Sequence, residues 1–376
     1  MVAKGRSLTI LPTQIVSIAY LFLSLIPLLV DSQCTQNPII FNFGDSNSDT
    51  GGFAAALGHS FGPPNGRLYF HHPSGRLCDG RLILDFLCES LGIENWTPYL
   101  ESLRPNFTYE ANFAISGSSA LPGLVPFSLS VQVLQFLRFR TRSLELISKG
   151  YQGFVNEEEF KRAVYTIDMG QNDIASSFFY FPYAKVIGRI PSFITEIENA
   201  IWLSLISEIY QHGGRNLWVH NTEPLGCFPQ QLATTGTYAT DFDQCGCLES
   251  LNNAAKAFNK QLQALCDELR SDQMMNAMIV YVDIYTIKYD LIANSDEYGF
   301  ENPLMAYCGY GGPPYNYNPN VTCGQTRFNV CIEELSYVSW DGVRYTEAGN
   351  AIFASKILST HYYSTPQIGF GYFCNA

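Results

Sequence analysis

Ile39-Ile40-Phe41-Asn42-Phe43-Gly44-Asp45-Ser46-Asn47-Ser48-Asp49-Thr50-Gly51 decides how the rest of the chain is read. A short apolar run ends at a glycine, and its length and bounding residues predict a buried strand. A serine directly after such a strand, on a glycine-containing turn, presents its hydroxyl and aims its own N–H at an incoming carbonyl oxygen. Taken alone, Gly44-Asp45-Ser46 is more often an ordinary N-cap turn, so its meaning depends on segments farther along the chain.

Comparable apolar runs recur at 109–114, 164–169, 216–220 and 278–283. Helical spacing separates several of them. Residues 200–211 carry apolar side chains on one face and stop at Gly213-Gly214, while Leu251, Ala255, Phe258, Leu262, Leu265 and Leu269 recur at intervals of three or four. Strands alternating with helices predict a parallel sheet covered by helices on both faces, with ligands at the carboxyl ends of the strands. No linker, repeat or low-complexity tract divides the chain. The Gly-, Pro-, Tyr- and Asn-rich stretch at 307–331, with its three cysteines, reads as a stapled surface loop, so residues 33–376 are expected to form one domain.

The first residues point to export. Lys4 and Arg6 precede an uncharged stretch at 7–30, and Val30 and Ser32 suit the positions before a signal-peptidase cut, so residues 1–32 read as a signal peptide. All eleven cysteines, Cys34 to Cys374, follow that cut, as an oxidising compartment would favour. Their odd number leaves at least one unpaired, and Cys266, among the core positions of a helix, is the candidate. Asn95, Asn106 and Asn320 head Asn-X-Thr glycosylation acceptors, the first weakened by Pro98. The Cys245-Gly-Cys247 spacing does not suit a metal, and neither metal nor cofactor is expected. A net charge of −12 disfavours nucleic acid and anionic membrane surfaces as partners, and nothing after the cut is apolar for the roughly 20 residues of a spanning helix.

Three further segments give Ser46 its context. In Asn112-Phe113-Ala114-Ile115-Ser116-Gly117, a glycine after a strand lets the backbone approach closely and point an N–H into a site. In Asp168-Met169-Gly170-Gln171-Asn172-Asp173, a second strand end offers a side-chain amide. With the N–H of Ser46, Gly117 and Asn172 make a candidate three-donor oxyanion hole. In Ser339-Trp340-Asp341-Gly342-Val343-Arg344-Tyr345-Thr346-Glu347, an acid precedes an arginine by three residues.

On these segments the chain resembles a plant GDSL esterase/lipase of the SGNH hydrolase superfamily, whose serine, glycine and asparagine match Ser46, Gly117 and Asn172. The resemblance extends to Gly75-Arg76, Asp79-Gly80-Arg81-Leu82, His220-Asn221-Thr222, Pro224-Leu225-Gly226-Cys227, Tyr307-Cys308-Gly309 and Tyr315-Asn316-Tyr317. It implies a flavodoxin-like three-layer α/β sandwich, and cleavage of carboxylic esters (acyl lipids, acetylated small molecules or polysaccharide acetyl groups) through a Ser46 acyl-enzyme. It also implies that Asp341 orients a histidine base three residues later. Here that position is Arg344, which has no lone pair for the serine proton and is expected to ion-pair with Asp341. A second departure is Glu223, where most relatives have glycine. His220, in a segment shared with active relatives, reads as structural; His71 and His72 precede the Pro73-Ser74-Gly75-Arg76 loop, and His59, His212 and His361 have no motif context. The chain is thus compatible with a secreted hydrolase of reduced activity, a pseudoenzyme binding an acylated or cell-wall carbohydrate ligand, or a secreted interaction protein.

Overall fold

The computed structural model describes residues 34, 38–93, 96–103, 105–123, 125–201, 210, 213–235, 240–331, 337–359 and 361–374. The leader expected at 1–32, Asn95, His212 and most of the helix expected at 200–211 lie outside the described residues.

The strands are β1 (Ile40–Gly44), β2 (Glu110–Asn112), β3 (Val164–Asp168), β4 (Asn216–His220), β5 (Met278–Val282), β6 (Asn302–Ala306), β7 (Cys308–Gly309), β8 (Asn329–Val330), β9 (Tyr337–Ser339) and β10 (Ser364–Thr365). Five of them pair in parallel in the order β2-β1-β3-β4-β5, and β10 closes the β5 edge antiparallel. This is the flavodoxin-like order. The connection from β1 runs outward to β2, and the chain then returns to β3 on the other side of β1. That reversal opens a crevice at the carboxyl ends of β1 and β3, where ligands bind in such sheets. Ser46 follows β1 and Asn172 follows β3.

Every residue of β1 and of β4 is buried, as expected for strands covered on both faces. Phe41 and Phe43 point to one face, where Phe136 of the helix Leu129–Ser148 packs edge-on at 5.1 Å and 5.8 Å. Asn42 points to the other and is paired there: its Nδ2 donates to Asn112 Oδ1 (2.8 Å), and its Oδ1 accepts from Thr166 Oγ1 (2.6 Å). A buried polar row that is satisfied in this way costs little and fixes the strand register. The helices Leu129–Ser148, Tyr183–Ala200 and Glu249–Glu268 pack in one layer; Ile83–Glu89, Ile284–Ala293 and Glu347–Ser359 form another. The buried Leu251, Ala255, Phe258, Leu262 and Leu265 of Glu249–Glu268 are the stripe that its spacing predicts.

The stretch at 307–331 is stapled, by a Cys308–Cys323 disulfide and by the antiparallel pair β7–β8. Cys227–Cys247 closes a second loop, and Cys34–Cys374 joins positions 340 residues apart. Cys78, Cys88, Cys245, Cys266 and Cys331 carry free thiols among the described residues. Burial pushes the Cys266 thiol up to about 12, so it acts as a small hydrophobe and not as a thiolate. A cross-link closing so long a loop removes much of the unfolded chain's freedom. Cys374→Ser is therefore expected to lower unfolding free energy by about 2–4 kcal/mol, read from urea midpoints. An unchanged midpoint would show that the bridge does not form. No described helix is long and apolar enough to cross a membrane.

Candidate active site

The Ser46 turn is held from below and from both sides. Gln132, fully buried, accepts from the backbone N–H of Gly44 (2.9 Å) and donates to its carbonyl (2.8 Å), which locks the strand end before the serine. Asp45 Oδ1 accepts the N–H of Asn47 (3.0 Å), and Asn112 Nδ2 donates to the Ser48 carbonyl (2.7 Å) and to Thr50 Oγ1 (2.9 Å). The Asp49 carboxylate receives the N–H groups of Gly51 and Phe53 at the start of the helix Gly52–Leu57, and also the N–H (2.7 Å) and hydroxyl (2.8 Å) of Ser116. One carboxylate thereby ties the serine turn to the loop that carries Gly117.

Gly117 sits at φ +83°, and an added Cβ would lie 2.7 Å from Val125 Cγ2, so both conformation and space call for glycine. No hydrogen bond of the described residues uses the backbone N–H of Ser46 or of Gly117. Two expected oxyanion donors are therefore unspent. Asn172 is placed beside them, but its amide is engaged: Nδ2 donates to the Ser118 carbonyl (2.7 Å) and to Asp45 Oδ2 (3.2 Å). The longer of these is the bond that a stronger acceptor in the site would displace.

The carboxyl-terminal segment reaches the same place through a latch. Arg76 holds Asp85 with two bonds (2.9 and 2.7 Å), and Arg81 spans Glu89 (2.9 Å) and Glu347 (2.8 Å). Asp79 accepts the N–H of Glu347 (2.7 Å) at the start of the helix Glu347–Ser359. Arg344, three residues earlier, is thus brought to the site. Its Nη1 donates to Asp341 Oδ2 (2.9 Å), while Asp341 Oδ1 accepts the backbone N–H groups of Val343 (3.0 Å) and Arg344 (2.9 Å). The expected ion pair is present and is partly buried, the side chains being 23% and 7% exposed.

Beneath the turn lies a charge cluster that the sequence did not disclose. Glu223 and Lys288 form an ion pair with both side chains 2% exposed, and Glu223 Oε1 also accepts from Asn47 Nδ2 (2.8 Å), beside Ser46. Lys288 Nζ lies 4.2 Å from the centroid of the Tyr345 ring. Burial, and then the nearby Asp168 carboxylate, push the Asp45 carboxyl well above its ordinary range. His220 is structural: Trp218 Nε1 donates to its Nε2 (2.9 Å), and its Nδ1 faces Asp168 Oδ2 at 3.8 Å. His71 and His72 are exposed, each with Nδ1 at a backbone carbonyl.

A cleft of about 560 Å³ opens over this ground, with Gly117, Asp341, Arg344, Gln230 and Tyr317 in its wall. Its volume suits a small organic ligand. Ser46, 2% exposed, and Asn172 do not line it. His59, which had no motif context, does, packed edge-on against both Phe53 and Phe61. Only the tertiary path of 53–61 places it there. A second depression of about 570 Å³, around Lys161, Arg162 and Arg215, lies at the amino ends of β3 and β4, where the sheet offers no switch-point crevice.

Comparison with known proteins agrees with the architecture. The sequence model described as GDSL-like Lipase/Acylhydrolase matches residues 40–357. The chain is 53% identical over 350 residues to GDSL esterase/lipase LIP-4 of Arabidopsis thaliana, covering 91% of each chain. It is 53% identical over 352 residues to GDSL esterase/lipase At1g09390 of the same plant, covering 92% of this chain and 93% of the relative. It is also 41% identical over 355 residues to Alpha-L-fucosidase 3 of that plant, covering 89% of this chain and 93% of the relative.

Proposed function

As the chain belongs to the family of GDSL-like lipases and acylhydrolases, we propose that it is a secreted carboxylic ester hydrolase whose turnover is held low by Arg344. Ser46 is the nucleophile, and the N–H groups of Ser46 and Gly117, joined by the Asn172 amide once it leaves Asp45, receive the oxyanion. Water then releases the acyl group. Exposed glycosylation acceptors at Asn106 and Asn320, together with three disulfides, support export.

One observation carries the low turnover: the Asp341 carboxylate, which should orient a base, is bound instead to the guanidinium of Arg344. A guanidinium stays protonated and accepts nothing, so the serine proton has no nearby acceptor on this segment. The same closed pair, over a cleft that excludes Ser46, favours the second reading of a binding protein.

Wild-type protein mixed with p-nitrophenyl butyrate is expected to turn over far below the roughly 10 s⁻¹ of an ordinary enzyme. Whatever acyl-enzyme forms, seen as a mass increase on the intact protein, should vanish in Ser46→Ala. Turnover near 10 s⁻¹ that Ser46→Ala abolishes would sink the low-turnover reading. The fucosidase name of one relative is tested with p-nitrophenyl α-L-fucoside, which should not be cleaved. Glycoside hydrolysis commonly uses a pair of carboxyl groups, and Asp341 is the sole carboxylate lining the cleft among the described residues.

A further inference from the structure

We infer that the cleft is a binding site for a carboxylate attached to an aromatic or similarly flat apolar group. The inference deepens the binding reading of this site by naming its ligand class, and it does not require turnover.

The charged end is set by Arg344. Nη1 is spent on Asp341 and Nε is buried with no partner among the described residues, so Nη2, which none of their hydrogen bonds uses, is the donor left for a ligand. Each terminal nitrogen of a guanidinium carries its own N–H donors, so Arg344 can hold Asp341 through Nη1 and a second carboxylate through Nη2. Asp341 does not forbid this, because its charge is already met by the guanidinium and two backbone N–H groups. Tyr317 adds a second donor: its oxygen accepts from Gln230 Nε2 (2.8 Å), which leaves its own O–H to give. Arg344 and Tyr317 both line the cleft.

The other end is aromatic. Phe53 and Phe61 stack with centroids 5.6 Å apart at 23°, and His59 stands edge-on to Phe61 at 4.9 Å. All three line the cleft, and Val125 adds apolar surface. A flat apolar group stacks on such a wall. A single cation that already serves Asp341 suits a monoanion; a phosphate dianion calls for more positive charge than the wall supplies.

The test is isothermal titration calorimetry of the purified protein with 3-phenylpropanoate, 3-phenylpropanamide, butyrate and phenyl phosphate. Wild type is expected to bind 3-phenylpropanoate on the order of 10-fold more tightly than its amide, the difference one charge-assisted contact makes. Arg344→Gln, with its circular dichroism unchanged, should erase that preference. Should Arg344→Gln fail to fold, Arg344→Lys keeps the charge, loses the fork and should reduce the preference. Phe61→Ala should weaken 3-phenylpropanoate and leave butyrate unchanged. Equal affinity for acid and amide in wild type, a preference that survives in folded Arg344→Gln, or tighter binding of phenyl phosphate would each overturn the assignment. Ser46→Ala keeps this test apart from the hydrolase reading. It should end acyl-enzyme formation and preserve the acid-over-amide preference; loss of the preference there would put the ligand at the serine and overturn the cleft site.

Discussion

Replacing Arg344 by histidine is expected to raise the rate of p-nitrophenyl butyrate hydrolysis by about 10²–10⁴-fold, the range a positioned general base supplies. Asp341 is prepared for the change. Its Oδ1 is fixed by the N–H groups of Val343 and Arg344, which are backbone and survive the substitution, and its Oδ2 is released by the guanidinium to accept an imidazole N–H. That bond selects the tautomer whose second nitrogen keeps a lone pair. The N–H groups of Ser46 and Gly117, which no hydrogen bond among the described residues uses, remain. Losing the partly buried pair costs about 1.5–3 kcal/mol, the worth of a hydrogen bond to a charged group, unless the imidazole replaces it. Two controls sharpen the outcome. Arg344→His combined with Ser46→Ala should be inactive, and Arg344→Gln, which removes the cation without supplying a base, should show no gain. An equal gain in Arg344→Gln would mean that clearing the cleft is what matters. No gain in a folded Arg344→His would shift the weight to the binding reading.

Glu223→Ala is expected to lower stability by about 3–5 kcal/mol, because it strands a buried ammonium. Lys288 is 2% exposed, and its remaining neighbours are the Tyr345 ring at 4.2 Å, the Phe353 ring at 5.6 Å and the Asp45 carboxyl, which burial pushes toward its neutral form. Aromatic faces stabilise a cation by far less than the hydration it gives up on burial. Removing both charges together, as in Glu223→Leu with Lys288→Met, should restore most of the loss, since a buried pair exchanged for apolar groups is often neutral or better. The measurement is a double-mutant cycle in urea. Single variants within about 1 kcal/mol of wild type would show that water reaches the pair. Asn47 loses one acceptor in Glu223→Ala but keeps Gln171 Oε1 (2.6 Å), so the serine turn should persist in the fraction that folds.

Glu223 also marks the boundary of what a linear reading reaches. Its oddity is visible in Thr222-Glu223-Pro224, but its partner stands 65 residues later as the one charged residue on the buried face of a helix, and nothing local connects the two. Gln132 is similar: it is one polar residue among several in the helix Leu129–Ser148, and its two hydrogen bonds to Gly44 span 88 positions. His59 lacked a motif, and its place in the cleft comes from the loop that packs it edge-on against Phe53 and Phe61.

The sequence by itself determined the α/β class and the parallel strands, and it put the candidate site residues at the strand ends. Buried strands must be short apolar runs, as at 40–44 and 216–220, and a turn serine, a positive-φ glycine and an acid three residues before a cation are local facts. It also determined that Arg344 would seek Asp341, since opposite charges three positions apart have each other as the nearest choice. Tertiary structure alone decided how these pieces share a site. The β1/β3 reversal, the latch of Asp79 and Arg81 on Glu347, and the buried Glu223–Lys288 pair all join residues far apart in the chain. Such contacts are chosen by packing and by the cost of leaving a buried polar group unpaired, which no window of neighbouring residues contains.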